Sequence, residues 1–448
     1  MACTFDYCIG GLHTVTLRRA LGPFDGTMIV IGGIIGSGIF INPYLVAQQL
    51  DSTGYVLLAW ALGGAVALAG AFAYGELGQR LPAAGGQYVY LREAWHPLVG
   101  FLYGWALLFM IETGAMAAVA ITFAQYASRM VGVELANPQI IAVGSIVLLS
   151  AINYFGVKAG SQVLNVFVVL KVLALGALIL FAWMGAPAPG WLTETRLDDT
   201  PTTGLSFGVA LIPILFAYGG WQCANYVAEE MRDPRRHLPV ALIVGTLAVV
   251  AVYLLANIAY LRTLGLEGLA STTTPAAAVA GLWFGDIGER LIAGAIAIST
   301  FGFLNLAILA PTRVYFAMAR DGAFLPALAR LHPRYQSPSA AIVLQSTWAV
   351  VLTLTGTYGD LLDTVVFADW IFFGLTVAGL FVLRRRSTTE GFKTPLYPWL
   401  PAAFVAVAVL VVYSVITTSP WRSLAGAGLL ALGIPVYYYF TARSRHAD

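Results

Sequence analysis

Two long apolar stretches of this chain are interrupted by glycine clusters. Ile35-Gly36-Ser37-Gly38-Ile39-Phe40 breaks the first, and Phe216-Ala217-Tyr218-Gly219-Gly220-Trp221 breaks the sixth. Glycine inside a helix costs about 1 kcal/mol relative to alanine, and each backbone group freed from a helix costs several kcal/mol in hydrocarbon. A chain that keeps such breaks inside membrane spans has to line them with a polar cavity, and half-helices ending at mid-bilayer are a recurrent way to hold a small polar solute.

That these stretches do span a membrane follows from composition. The chain is 59% hydrophobic and 10% charged over 448 residues, where an average soluble domain carries about 25% charged residues. Apolar runs near the length of about 20 residues that crosses a bilayer recur at 26–49, 54–79, 98–126, 138–156, 162–184, 205–228, 238–261, 288–318, 339–356, 361–383, 397–417 and 421–440. The expectation is an all-α integral membrane protein of twelve transmembrane helices with no soluble domain.

Basic residues concentrate in cytoplasmic loops, and with the N-terminus inside only Arg129, Arg196, Arg262, Arg290 and Arg422 fall on the outer side, while Lys171 lies within a span. The sequence therefore predicts a multi-pass protein of the cell (inner) membrane, with cytoplasmic tails at 1–25 and 441–448. Residues 1–25 have no separate apolar core, so a cleaved signal peptide is not expected. A net charge of +2, carried in membrane-flanking loops, gives no reason to expect a nucleic-acid partner. Cys3 and Cys8 fall in the tail and Cys223 on the sixth span; with no cysteine in an outer loop, no disulfide-linked ancillary subunit is expected. No metal-ligand cluster or phosphate loop appears, so neither a cofactor nor an enzyme is expected.

The breaks open spans one and six, which divides the chain into two units of five spans, 26–186 and 203–384, followed by two more spans at 397–440. An odd number of spans per unit makes the second copy insert upside down. Direction then fixes the chemistry, because each half-helix exposes free N–H groups at its start and free carbonyls at its end. The N–H groups of Ser37, Gly38 and Ile39 after Gly36 suit a carboxylate, and the carbonyls of Ile34, Ile35, Phe216 and Ala217 suit an ammonium. The predicted ligand is a zwitterionic α-amino acid, with Gly219 of the sixth-span break also at the site. Gly32, Gly33, Gly63 and Gly64 read instead as small residues for close helix packing, and Asp25, following Pro23, reads as a helix N-cap.

Several motifs occur in order along nearly the whole chain: Gly36-Ser37-Gly38-Ile39-Phe40; Tyr74-Gly75-Glu76-Leu77-Gly78 with Leu81-Pro82, Gly85-Gly86 and Tyr88; Phe216 to Trp221 followed by Glu229-Glu230-Met231; and Ser299-Thr300-Phe301-Gly302 through Ala319-Arg320-Asp321-Gly322. In this set the chain resembles permeases of the amino acid, polyamine and organocation superfamily, most closely the bacterial branch similar to L-type amino-acid transporters. The resemblance implies a five-plus-five inverted-repeat core with discontinuous helices 1 and 6, alternating access, and an aromatic gate at Phe216 with Trp221.

Charge at membrane depth costs at least about 2.5–3.5 kcal/mol, which marks each such residue as a functional candidate. The resemblance places the Lys171 ammonium where sodium-coupled relatives hold a sodium ion, with Gly33 and Ser299 as neighbours, and so implies sodium-independent transport. Glu112 and Glu76 are further coupling candidates. Asp369, before Trp370, departs from the amide that the L-type pattern has there and introduces an acid near the substrate side chain. Ala115, Met116, Gln222 and Asn225 suggest a side-chain pocket of modest size for neutral amino acids. The expected function is a secondary amino-acid transporter, either an exchanger or a proton-coupled symporter. The alternatives are cationic amino-acid or polyamine transport, or a receptor or channel that binds an amino acid without transporting it.

Overall fold

The computed structural model describes residues 17, 19–133, 137–195, 202–355, 358–387 and 390–445. Cys3, Cys8, most of the amino-terminal tail, Arg196 and the last residues of the carboxy-terminal tail lie outside them. Among the described residues the regular elements are helices joined by turns and irregular segments, with isolated bridges at Leu21–Met231 and Ser52–Thr195.

The first span is a pair of half-helices, α1 (Pro23–Ile34) and α2 (Gly38–Gln49), bent by 40° at the glycine break. Asp25 does not occupy the N-cap of α1. It sits at the third helical position and accepts a hydrogen bond from Gly22 N at 2.9 Å, the acidic half of a capping box. Its other oxygen accepts from Asn165 at 2.8 Å.

Next come α3 (Thr53–Arg80), the short α4 (Gln87–Ala94) and a long rod made of α5 (Pro97–Ala106) and α6 (Glu112–Val131), joined by a π turn at Leu107–Ile111. Then follow α7 (Pro138–Tyr154) and α8 (Val157–Met184). The predicted sixth span is broken like the first: α9 (Gly204–Ala217) ends, the chain turns, and the four-residue α10 (Cys223–Tyr226) follows. Beyond it lie α11 (Pro234–Ser271), α12 (Pro275–Phe284), α13 (Asp286–Leu309), α14 (Thr312–Arg320), α15 (Ser339–Thr355), α16 (Tyr358–Arg386), α17 (Trp399–Thr418) and α18 (Pro420–Arg445).

Among the described residues, eight helices are long and apolar enough to cross a membrane, nine when the bent pair counts as one span. The helices at the predicted fourth, sixth and ninth spans are shorter, at 17, 14 and 17 residues. The hydropathy reading assigns no span between 262 and 287, where the structure has the end of α11, kinked at Gly265 (φ 71°), and the ten-residue α12.

The two broken spans cross at their glycines. A Cβ on Gly33 would lie 2.4 Å from Gly220 O, and one on Gly220 would lie 2.1 Å from Gly33 O, so backbone touches backbone. Gly220 also has φ of +100°, a conformation that glycine adopts without penalty.

Where α1 begins and α3 ends, charged groups tie the segments together. Arg313, 1% exposed, donates to Glu230 at 2.7 Å. Glu76, also 1% exposed, pairs with Arg80 at 2.9 Å and with Arg384, and accepts from Thr394 N at 2.8 Å. Buried carboxylates with this many donors are satisfied rather than stranded.

Candidate functional site

The breaks frame a cavity. The end of α1 contributes Gly33 and Ile34, the break and the start of α2 contribute Gly36, Ser37 and Gly38, and the sixth-span break contributes Phe216, Ala217, Gly219 and Gln222. The far wall comes from Glu112, Ala115, Ala118 and Val119 on α6, Phe303 on α13, and Val365, Asp369 and Phe373 on α16. As seen by the centres of water molecules the cavity is about 90 Å³. One water centre needs on the order of 10–15 Å³, so a solute of several heavy atoms fits.

Its poles differ in charge. At the start of α2, the N–H groups of Ser37, Gly38 and Ile39 have no partner among the described residues, and the positive end of the helix dipole lies there. The carbonyl ends of α1 and α9 border the cavity through Ile34, Phe216 and Ala217. Tyr253 of α11, fully buried, donates its hydroxyl to Ile34 O at 2.9 Å and to Ala217 O at 3.2 Å, so one side chain bridges both breaks. A single hydroxyl proton shared between two carbonyls leaves acceptor capacity on each. Gln222 holds the sixth-span turn by accepting from Gly220 N at 3.0 Å.

Lys171 is 0% exposed, and its Nζ donates to Gly32 O at 3.0 Å and to Ile35 O. Ser299 Oγ donates to Gly36 O at 3.1 Å and to Ile35 O at 3.3 Å. The Lys171 ammonium therefore rests on the carbonyl end of α1, where the helix dipole is negative, next to the break and outside the cavity lining.

The remaining sequence-predicted residues are placed as follows. Ile35 and Ile39 contribute backbone to the break while their side chains are 0% exposed. Met116 is buried on another face of α6, its sulfur 3.1 Å from Gln345 Nε2 of α15, and it does not line the cavity. Asn225 accepts from Tyr90 OH at 3.0 Å, off the cavity. Trp221 is wedged among Tyr74 (4.6 Å between ring centres), Phe373 (5.5 Å) and Phe404, bordering a small void beside the main one. Phe216 lines the cavity and is only partly buried. Glu76 stands apart in its arginine pairs. Among the described residues no cluster of His, Cys, Asp or Glu could hold a metal ion.

The sequence reading passes over Phe303, Phe373, Val365, Cys223 and Tyr253. Helical spacing signals two of these, because Val365, Asp369 and Phe373 are four apart and share a face of α16. The same rule fails on α6, where Ala115, Ala118 and Val119 line the cavity with Glu112 while Met116, four residues from Glu112, does not.

Comparison with known proteins identifies the family. An amino acid permease family model matches residues 21–434. The b(0,+)-type amino acid transporter 1 of Homo sapiens is 31% identical over 446 residues, covering 95% of this chain and 89% of the relative. The serine/threonine exchanger SteT of Bacillus subtilis is 31% identical over 428 residues, covering 94% and 97%. The human cystine/glutamate transporter is 29% identical over 446 residues, covering 96% and 87%. With a family model spanning nearly its whole length and relatives 31% identical over almost all of it, this chain belongs to the amino acid permeases, the membrane transporters of the amino acid, polyamine and organocation superfamily.

Proposed function

We propose that this permease is a sodium-independent amino-acid exchanger that binds its substrate as a zwitterion between the two helix breaks and works by alternating access. The observation that carries this reading is the cavity itself, with unpaired N–H groups at the start of α2 opposite the carbonyl ends of α1 and α9. A carboxylate at the first and an ammonium at the second offset the charges of both. Exchange is favoured over proton symport because a bacterial relative covering 94% of the chain is named an exchanger.

Sodium independence rests on Lys171. Its ammonium already occupies carbonyls at the α1 terminus that could otherwise ligate a cation. Twelve spans with a five-plus-five inverted core follow if α7, α9 with α10, and α15 are counted as membrane-crossing beside the nine spans above. In this reading both termini are cytoplasmic, the membrane is the inner (plasma) membrane, and Phe216 closes over the substrate. The only described cysteine, Cys223, is buried in the cavity wall, so the chain is taken to work without a disulfide-linked partner.

The small residues Gly36, Ala115 and Ala118 in the wall support neutral amino acids with modest side chains. A second reading has its own support: Glu112 and Asp369 line the cavity without a basic residue among the lining, which suits a cationic side chain.

Purified protein in liposomes preloaded with unlabelled serine separates these readings. Labelled uptake that requires internal amino acid and is indifferent to sodium supports the proposal. Strict sodium dependence overturns the role of Lys171, and uptake driven by external acid without internal substrate replaces exchange with symport. Competition by lysine or arginine stronger than by serine or alanine, abolished in Asp369→Asn, selects the cationic reading.

A further inference from the structure

Away from the cavity between the helix breaks, α7 and α15 lie side by side and leave a groove on an exposed apolar face. It is about 530 Å³ and runs along Val147, Ser150 and Ala151 on one side and Val343, Ser346 and Val350 on the other. Val147 and Val343 are 57% and 59% exposed. The two serine hydroxyls in its lining are already satisfied, since Ser150 Oγ and Ser346 Oγ bond each other at 2.6 Å and Ser150 also donates to Ile146 O at 2.6 Å. Such a lining asks for hydrocarbon rather than for a polar solute.

One end of the groove is different. Tyr154 and Phe155 line it there, and Tyr335 packs on both, with ring centres 6.3 and 5.1 Å away. Ser337 ties the same corner together by donating to Tyr154 O at 2.6 Å. Arg334 lies over the Tyr335 ring at 5.5 Å, and Lys158 follows Phe155 by three residues at the start of α8. Both are exposed and neither has an ion-pair partner among the described residues. An apolar slot capped by interfacial aromatic rings and two free cations matches an acyl chain that ends in an anionic headgroup.

We propose that this groove is a binding site for an anionic phospholipid, with one acyl chain between α7 and α15 and the headgroup phosphate on Lys158 and Arg334. The site needs only that the helices span a bilayer and is independent of substrate and transport mode. A second copy of the chain fits the observations less well, because two like-charged corners would meet.

The test uses the full-length protein delipidated in detergent, with retention of dioleoylphosphatidylglycerol or dioleoylphosphatidylcholine read by native mass spectrometry and thermal unfolding. Phosphatidylglycerol binds preferentially and raises the melting temperature. Lys158→Gln/Arg334→Gln weakens that binding about 30-fold, since each basic residue at a membrane surface contributes about 1 kcal/mol. Val343→Trp, which fills the groove from an exposed position, blocks it with both cations in place. Equal retention of the two lipids, undiminished phosphatidylglycerol binding by the double variant, the same stabilisation from inorganic phosphate alone, or a dimer that Val343→Trp disrupts would each overturn the proposal. Should Val343→Trp not fold, the double variant decides alone.

Discussion

Gly33 and Gly36 sit three residues apart at the first break, and adding one methyl group to each separates packing from binding. At Gly33 the new Cβ would lie 2.4 Å from Gly220 O and 3.1 Å from Gly220 C. Unstrained contacts between such atoms need roughly 3.5 Å, so the two broken helices would have to part by about 1 Å where both are backbone and no side chain can swing aside. Overpacking of this kind costs about 1–3 kcal/mol, and the rigid neighbour argues for the upper end. Against it, alanine gains about 1 kcal/mol in helix propensity, which leaves Gly33→Ala destabilised by about 2 kcal/mol. At Gly36 the only neighbour is Phe303 Cδ2 at 3.9 Å, an ordinary contact, and the methyl group projects into the cavity. Gly36→Ala should therefore fold like the native protein yet lose substrate affinity by on the order of 10–100-fold, the worth of one misplaced methyl group in a fitted site. Thermal unfolding in detergent reads the first effect, and half-saturation of exchange in liposomes reads the second. A Gly33→Ala protein as stable as the native one would refute the backbone crossing, and unaltered half-saturation in Gly36→Ala would refute the placement of substrate between the breaks.

Other perturbations have equally definite outcomes. Lys171→Met removes the ammonium from Gly32 O and Ile35 O and should lower exchange more than tenfold in liposomes; unchanged exchange would remove Lys171 from the mechanism. Tyr253→Phe takes away the donor shared by Ile34 O and Ala217 O and should cost about 1–3 kcal/mol in unfolding, an effect absent if those carbonyls find other donors. Glu76→Gln breaks the buried pairs with Arg80 and Arg384 and should cost about 3–5 kcal/mol, with a loss below 1 kcal/mol in denaturant titration counting against that network. Outside the spans, hydrogen bonds from the Thr202 hydroxyl and N–H hold the Asp51 carboxyl below its ordinary value of 3.8. A carboxylate whose pKa is depressed by folding stabilises the fold above its unfolded value and loses that contribution as pH falls through the folded one. The melting-temperature gap between the native protein and Thr202→Val should accordingly be present at pH 7 and shrink in acid, and a gap that does not change with pH would contradict the assignment.

What could be read in the sequence and what could not divide along a physical line. The helix breaks were legible because glycine clusters inside apolar runs have few other uses, and chain direction alone orients the free N–H groups of Ser37 to Ile39 and the carbonyls of Ile34 and Ala217. Groups that meet across the bundle were not legible. Tyr253 reaches both breaks from the middle of α11, where nothing in its apolar surroundings distinguishes it from Tyr260 seven residues on, also fully buried. Met116 and Ala115 are adjacent in sequence, and only the rotation of α6, fixed by Glu112, Ala118 and Val119 against the cavity, decides which of them faces it. Gly33 carried the opposite lesson. Its sequence reading as a packing glycine and the functional reading of Gly220 describe one contact, because the carbonyl ends of the two broken spans can converge on one solute only where their backbones are free of side chains. In the proposed binding mode, close packing and substrate recognition are therefore the same requirement at this crossing, and a residue larger than glycine at either position would push the two carbonyl ends apart.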